Sequence, residues 1–124
     1  MSNHFGRHKR LLSASDYRVV FSGAALRAGQ NEFLLLARSN DCGYHRLGLA
    51  VAKKHVRQAT QRNRIKRGAR EAFRHLPDTG PGLDIIFLTR PGAAKTGRDV
   101  YTRDLPRQLQ RLCNKAAVQI DTSS

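Results

Sequence analysis

Hydrophobic and polar positions along this chain follow two periods, and the change between them outlines the fold. From Arg46 to Lys53 the alternation is strict, with Leu47, Leu49 and Val51 on one face and Gly48, Ala50 and Ala52 on the other. A period of two predicts a strand whose larger side chains face the core. The small side chains opposite let another layer, or a ligand backbone, approach closely. From about Val56 to His75 the period becomes helical, and Ile65, Ala69, Ala72, Phe73 and Leu76 share one arc. Pro77 and the following Asp-Thr-Gly-Pro-Gly end that helix in a loop. Phe33–Arg38 predicts a firm strand, and Leu83–Arg90, the most apolar stretch, an interior one closed by Pro91-Gly92. A weaker strand is expected over Ala24–Ala28 before a turn at Gly29-Gln30-Asn31, and Ser39–Gly43 reads as a turn-rich link.

Helices bracket these strands. Ser13 or Ser15 can cap a short helix with Asp16 in its first turn, Tyr17, Val20 and Phe21 on one face, and Gly23 as its terminator. A last helix is expected over Asp99–Lys115, with Val100, Leu105, Leu109 and Leu112 in register and Pro106 tolerable only near its start. The order α-β-β-β-α-β-α predicts an α+β sandwich, one four-stranded sheet with helices against it. At 124 residues the chain suits a single domain spanning 1–124. Residues 1–10 and 117–124 are expected to be flexible.

Charge changes the picture from fold to partner. Lys and Arg number 23 against 9 acids, a formal net charge of +14. Self-repulsion on this scale weakens a small fold, so a polyanion is expected in the working state, and Arg dominance favours phosphate. The cations concentrate on the long helix. Arg62, Lys66 and Arg70 stack at i, i+4, i+8, Asn63, Arg67 and Arg74 fill the adjoining stripe, and Glu71 is the one acid between Arg62 and Arg74. A solvated face normally mixes signs, whereas like charges at this spacing repel until an anion neutralises them. Lys53, Lys54 and Arg57 extend the positive potential into the corner before the helix, and Asn63 offers a donor and an acceptor to a base edge or sugar. Tyr17 and Phe21 can either pack in the core or stack on single-stranded bases.

Catalytic groups are scarce. The acids are dispersed, the serines lie outside any nucleophile elbow, and no glycine-rich phosphate loop opens a helix. Asp84, alone in an apolar strand, reads as a local hydrogen-bonding group. No catalytic residue and no protein metal site is expected, since the five histidines lack ligand spacing. Cys42 and Cys113, without a CxxC companion or a visible export signal, are expected to be reduced thiols of a cytoplasmic protein. No apolar run approaches the ~20 residues of a membrane span. A helix-turn-helix regulator is disfavoured because no second helix lies close to the basic one. An RNA-recognition sheet is disfavoured because aromatic residues make up only 6% of the chain.

Arg46-Leu47-Gly48-Leu49-Ala50-Val51-Ala52-Lys53-Lys54, followed by Arg62-Asn63-Arg64-Ile65-Lys66-Arg67 and then Arg70-Glu71-Ala72-Phe73-Arg74, resembles the bacterial ribonuclease P protein subunit. That family's signature is an RNxxKRxxR helix after a G-L-x-V-x-K-K strand. Arg10-Leu11-Leu12 ahead of the first helix and the late apolar strand ending at Arg90 agree, so the likeness covers roughly residues 5–115. The resemblance implies a fold similar to a ribosomal-protein domain, with a left-handed βαβ crossover against the usual right-handed rule. It implies a subunit of an endoribonuclease holoenzyme, a hydrolase of tRNA processing that removes the 5′ leader of precursor tRNA. In that family the catalytic RNA carries the chemistry with Mg2+, and the partners are that RNA and the precursor, with one protein per RNA. By position, Arg62, Asn63, Lys66, Arg67 and Arg70 would face the catalytic RNA. Tyr17, Phe21 and Lys53, with Lys54 and Arg57 beside them, would form the leader cleft. Two positions depart from the family pattern: Tyr17 where many members carry Phe, and Gly68 where the residue is usually apolar. The alternative from a different class is a ribosomal or other structural RNA-binding protein, which would bind RNA without promoting cleavage.

Overall fold

In a computed structural model, residues 14–24, 26–40, 44–76, 82–95, 97 and 99–123 are described. Helix α1 (Ala14–Gly23) is followed by β1 (Leu26–Gly29), β2 (Phe33–Ser39), β3 (Arg46–Ala50), α2 (Ala59–Arg74), β4 (Leu83–Thr89) and α3 (Leu105–Ser123). A 3-10 turn at Pro91–Lys95 and a π turn at Val100–Asp104 lie between β4 and α3. The expected order and single four-stranded sheet are present. Strand order is β1-β2-β4-β3, with β1/β2 and β2/β4 antiparallel and β3/β4 parallel. The β3-α2-β4 segment is therefore a βαβ unit joining adjacent parallel strands.

Alternation along the strands separates two cores. On one face Leu26, Ala28, Phe33, Leu35, Ala37, Leu47, Leu83, Ile85 and Phe87 pack with Ile65, Ala69 and Phe73 of α2 and Leu105, Leu109 and Leu112 of α3. Phe33 and Phe87 stack at 5.5 Å between centroids. On the other face Val20 of α1 meets Ile86, flanked by Tyr17, Leu36, Ala50 and Leu88. The small side of β3 thus receives another layer, as its alternation allowed, and that layer is α1. β4 is buried on both faces, which accounts for its unbroken apolar run.

Several boundaries shift, each for a tertiary reason. β1 lies two residues later than expected at its start and includes Gly29; the Gln30 N–H donates to the Phe33 carbonyl to close the turn. β3 stops at Ala50, so Lys53 and Lys54 do not close a strand but lie in a turn, where the His55 and Val56 N–H groups both donate to the Ala52 carbonyl. That turn delays α2 to Ala59. The last helix continues to Ser123 instead of ending near Lys115. Pro106 sits in its first turn, as required. It offers no N–H to the carbonyl four residues before it and would crowd that carbonyl. The backbone instead takes π spacing, with the Leu105 N–H donating to the Val100 carbonyl.

His45 is 1% exposed, and its Nδ1 accepts the Leu83 N–H at 3.2 Å, with Nε2 directed at Cys113 Sγ 3.9 Å away. Its role is to satisfy a backbone donor beside the core. Cys113 is a free thiol, while Cys42, Arg10-Leu11-Leu12 and the Pro77–Pro81 loop lie outside the described residues.

Gly68 has a packing reason. A Cβ placed there would stand 2.8 Å from Cγ and 3.0 Å from Cβ of Tyr101, which lies across α2 from the π turn. Alanine gains about 1 kcal/mol of helix propensity but drives into the base of a ring that cannot swing clear, and overpacking costs about 1–3 kcal/mol. Gly68→Ala is therefore expected to lower stability by about 1 kcal/mol in urea unfolding. A stabilised variant would show that Tyr101 does not rest on Gly68.

Candidate nucleic-acid interface

β3 is an edge strand, paired only with β4, and the corner that follows it leads into the basic helix α2. Leu49 has its backbone groups on that free edge. The Tyr17 hydroxyl accepts the Leu49 N–H at 2.9 Å and donates to the Leu49 carbonyl at 3.2 Å. It caps the edge as a neighbouring strand would and fixes α1 across the small face of β3. Tyr in place of Phe thus acquires a physical reason, since only the hydroxyl supplies these two bonds. The Tyr17 ring is half-buried in the second core, so its main work is positioning. Phe21, one turn further along α1, is 49% exposed, which removes the core-packing reading for this ring. Val19, also on α1, is 45% exposed.

An ion-pair network that sequence reading did not find holds the other end of this layer. Arg46 grips Asp84 with two bonds, Nε to Oδ1 at 2.7 Å and a terminal nitrogen to Oδ2 at 2.6 Å. Asn40 donates to the same Oδ1 at 2.7 Å, and Asp16 of α1 lies 3.8 Å from Arg46. Asp84 is indeed a local hydrogen-bonding group, and Arg46, the first residue of the β3 motif, is its structural partner. The register that pairs Arg46 with Asp84 across β3/β4 was the missing information.

The corner between β3 and α2 is held from several directions. Thr89 Oγ1 accepts the Ala52 N–H at 2.9 Å and lies 3.3 Å from His55 Nδ1, while Val56 is buried. Arg62, expected to face RNA, folds one guanidinium nitrogen back onto the Val56 and Arg57 carbonyls at 3.0 and 2.7 Å. It organises the corner as well as adding charge. Lys53, Lys54 and Arg57 are consequently displayed, all exposed, on a fixed turn.

α2 buries Ile65, Ala69, Ala72 and Phe73 and leaves Asn63, Arg67 and Arg70 exposed, with Lys66 and Arg62 partly so. The basic stripe read from the sequence therefore lies on the flank next to the core. Glu71 is occupied by Arg74 at 2.9 Å and His75 at 3.0 Å, and the bond from His75 holds its carboxyl below its ordinary pKa. It engages Arg74 at the end of the stripe and none of Lys66, Arg67 or Arg70. The corner and α2 thus follow one another in the chain as a run of exposed cations, and an exposed aromatic ring, Phe21, stands on α1 against the other face of the sheet. Among the described residues no cluster of three or more His, Cys, Asp or Glu is placed to hold a metal.

Comparison with known proteins identifies the family. The family model described as Ribonuclease P matches residues 5–113. The ribonuclease P protein component of Marinobacter nauticus is 46% identical over 101 residues, covering 82% of this chain and 76% of the relative. That of a Marinomonas species is 43% identical over 113 residues, covering 91% and 83%. Among solved structures, the RNase P protein of Staphylococcus aureus matches with a TM-score of 0.69 at 25% identity, covering 87% of this chain and 94% of that one. The Thermotoga maritima RNase P protein matches with a TM-score of 0.64 at 28% identity, covering 86% and 96%. Family model, relatives and fold agree, and the chain belongs to the bacterial ribonuclease P protein family.

Proposed function

We propose that this subunit grips the catalytic RNA of ribonuclease P with α2 and guides the 5′ leader of precursor tRNA along the α1–β3 side. The carrying observation is the run of displayed cations: Lys53, Lys54 and Arg57 are exposed in the corner after β3, and Asn63, Arg67 and Arg70, with Lys66 partly so, continue it along α2, while Phe21 stands exposed on α1. Arg67, Arg70 and Lys66, with Arg62 and Asn63, take phosphates of the catalytic RNA. Lys53, Lys54 and Arg57 attract the leader backbone, and Phe21 offers a face on which any base can stack, so the contact tolerates sequence. Tyr17 serves that site by fixing α1 to Leu49.

In this reading the RNA carries the hydrolysis, one protein joins one RNA, and the holoenzyme acts in the cytoplasm. Among the described residues no helix is long and apolar enough to cross a membrane. The family's Mg2+ belongs with the RNA. A magnesium site needs free oxygen ligands, whereas Asp84 is committed to Arg46, Glu71 to Arg74 and His75, and Asp104 to Gln30. These carboxylates do not fit a resident magnesium ion.

Base stacking on an aromatic ring contributes about 1–3 kcal/mol. Phe21→Ala is therefore expected to weaken precursor binding by the holoenzyme roughly 5- to 100-fold while leaving assembly with the catalytic RNA unchanged. Titrating precursor against preassembled holoenzyme, and protein against catalytic RNA alone, separates the two. Equal losses in both titrations would refute the division of labour.

A further inference from the structure

A second basic stripe runs along α3, the other helix on the α2 face of the sheet, outside the family motif. Arg103, Arg107, Arg111 and Lys115 recur at i, i+4, i+8 and i+12, and all four are exposed. Leu105, Leu109, Leu112 and Ala116 fix the orientation by burying the opposite face of α3 against β1 and β2. No acid occurs from Leu105 to Ile120. The acid just before this stretch, Asp104, is engaged by Gln30 at 3.0 Å and Arg103 at 3.2 Å. Asp104 is also near enough to Arg107 to feel its charge, so one carboxylate is shared between Arg103 and Arg107, and Arg111 lies about two turns further from it. Lys115 donates to the Arg27 carbonyl at 2.7 Å, which joins the stripe to edge strand β1, where the Arg27 side chain is exposed too.

A solvated helix face of this length would be expected to alternate sign, because like charges at i, i+4 repel. The rise of 1.5 Å per residue sets successive cations about 6 Å apart, over about 18 Å in all. That is a row of regularly spaced donors, three of them guanidinium forks suited to phosphate oxygens. β1 and β3 are the two edges of the sheet, so this stripe and the α2 stripe lie over opposite edges, about 14 Å apart at ~4.8 Å per strand.

We propose that the α3 stripe is a second RNA-backbone contact, built by Arg107 and Arg111 with Arg103 and Lys115 at its ends. The subunit then engages RNA over both edges of its sheet. This rests on the reading of α2 as the primary RNA contact. The phosphates come either from a second element of the catalytic RNA or from the body of the precursor.

The test is an Arg107→Gln/Arg111→Gln double variant, chosen because neither side chain holds the fold. Its melting temperature should match that of the parent protein, and Arg107→Lys/Arg111→Lys should retain binding. Affinity is measured from 0.05 to 0.5 M salt in two arms: protein with catalytic RNA, and preassembled holoenzyme with precursor tRNA. Two lost phosphate contacts should flatten the log–log salt slope by about 1.4–1.8 and weaken binding roughly 20-fold at 0.15 M salt. Loss in the first arm assigns the stripe to the catalytic RNA, and loss confined to the second assigns it to the precursor. Unchanged slope and affinity in both arms would overturn the inference. A Lys66→Gln/Arg70→Gln variant run in parallel separates the failures. If it weakens assembly while the α3 variant does not, only the second contact falls; if neither does, the primary reading falls with it.

Discussion

A Lys66→Ala/Arg67→Ala/Arg70→Ala variant should bind the catalytic RNA about 100-fold more weakly at 0.15 M salt and approach the parent protein's affinity near 1 M. The magnitude follows from counterion release. Each neutralised phosphate contributes about 0.7–0.9 to the log–log salt slope, so three lost contacts flatten it by about 2–2.7. Their position makes the loss one of binding and not of folding. Arg67 and Arg70 are exposed and Lys66 half-buried, while the residues that hold α2 to the sheet, Ile65, Ala69, Ala72 and Phe73, are untouched. Alanine also favours the helix and relieves repulsion between neighbouring cations, so thermal stability should hold or rise. Parallel displacement of the two salt curves, with an unchanged slope, would mean that these side chains act through something other than phosphate.

The second large effect concerns stability. Asp84→Ala should cost about 3 kcal/mol, read as a lower urea midpoint at unchanged m-value. Asp84 is 6% exposed and receives two bonds from Arg46 and one from Asn40. Removing the carboxylate strands a guanidinium that has little access to water, and breaking such a pair by one partner typically costs 3–5 kcal/mol. Arg46 keeps partial exposure and distant help from Asp16, 3.8 Å away, which places the expectation at the low end. For a domain of this size the loss is a large part of a total of about 5–15 kcal/mol. It should also loosen α1, because Asp16, beside Arg46, helps tie that helix to β3 together with Tyr17 on Leu49. A cost below 1 kcal/mol would show that Arg46 finds solvent when its partner is gone.

What the sequence disclosed and what it withheld divide along the range of the interactions involved. β2, β4 and the body of α2 were legible because burial imposes a period on neighbouring residues. The basic stripe was legible for the same reason, since one helix carries its core face and its charge together. The start of α2 was not. The corner from Val51 to Gln58 depends on Thr89, 37 positions from Ala52, and on Arg62 folding back to carbonyls before its own helix. The backbone role of Arg62 is invisible in the sequence, because charge at helical spacing says nothing about a guanidinium returning to the backbone. For Tyr17 the pattern leaves core packing and base stacking both open, because its docking to Leu49 requires knowing that β3 is an edge strand. Arg46 was quoted within the motif without a role, since its partner Asp84 is 38 positions away and paired by register. Gly68 stood out as a departure in sequence, and Tyr101, 33 positions on, supplies the reason. A signal did exist for the π turn, in Pro106, whose missing N–H had to be accommodated by the turn before it.

Cleavage of precursor tRNA by the cognate catalytic RNA, at near-physiological magnesium with and without this protein, tests the central claim most directly. Stimulated cleavage that yields the mature 5′ end, with none by the protein alone, is the predicted result. Binding without stimulation, or cleavage by the protein alone, would contradict it.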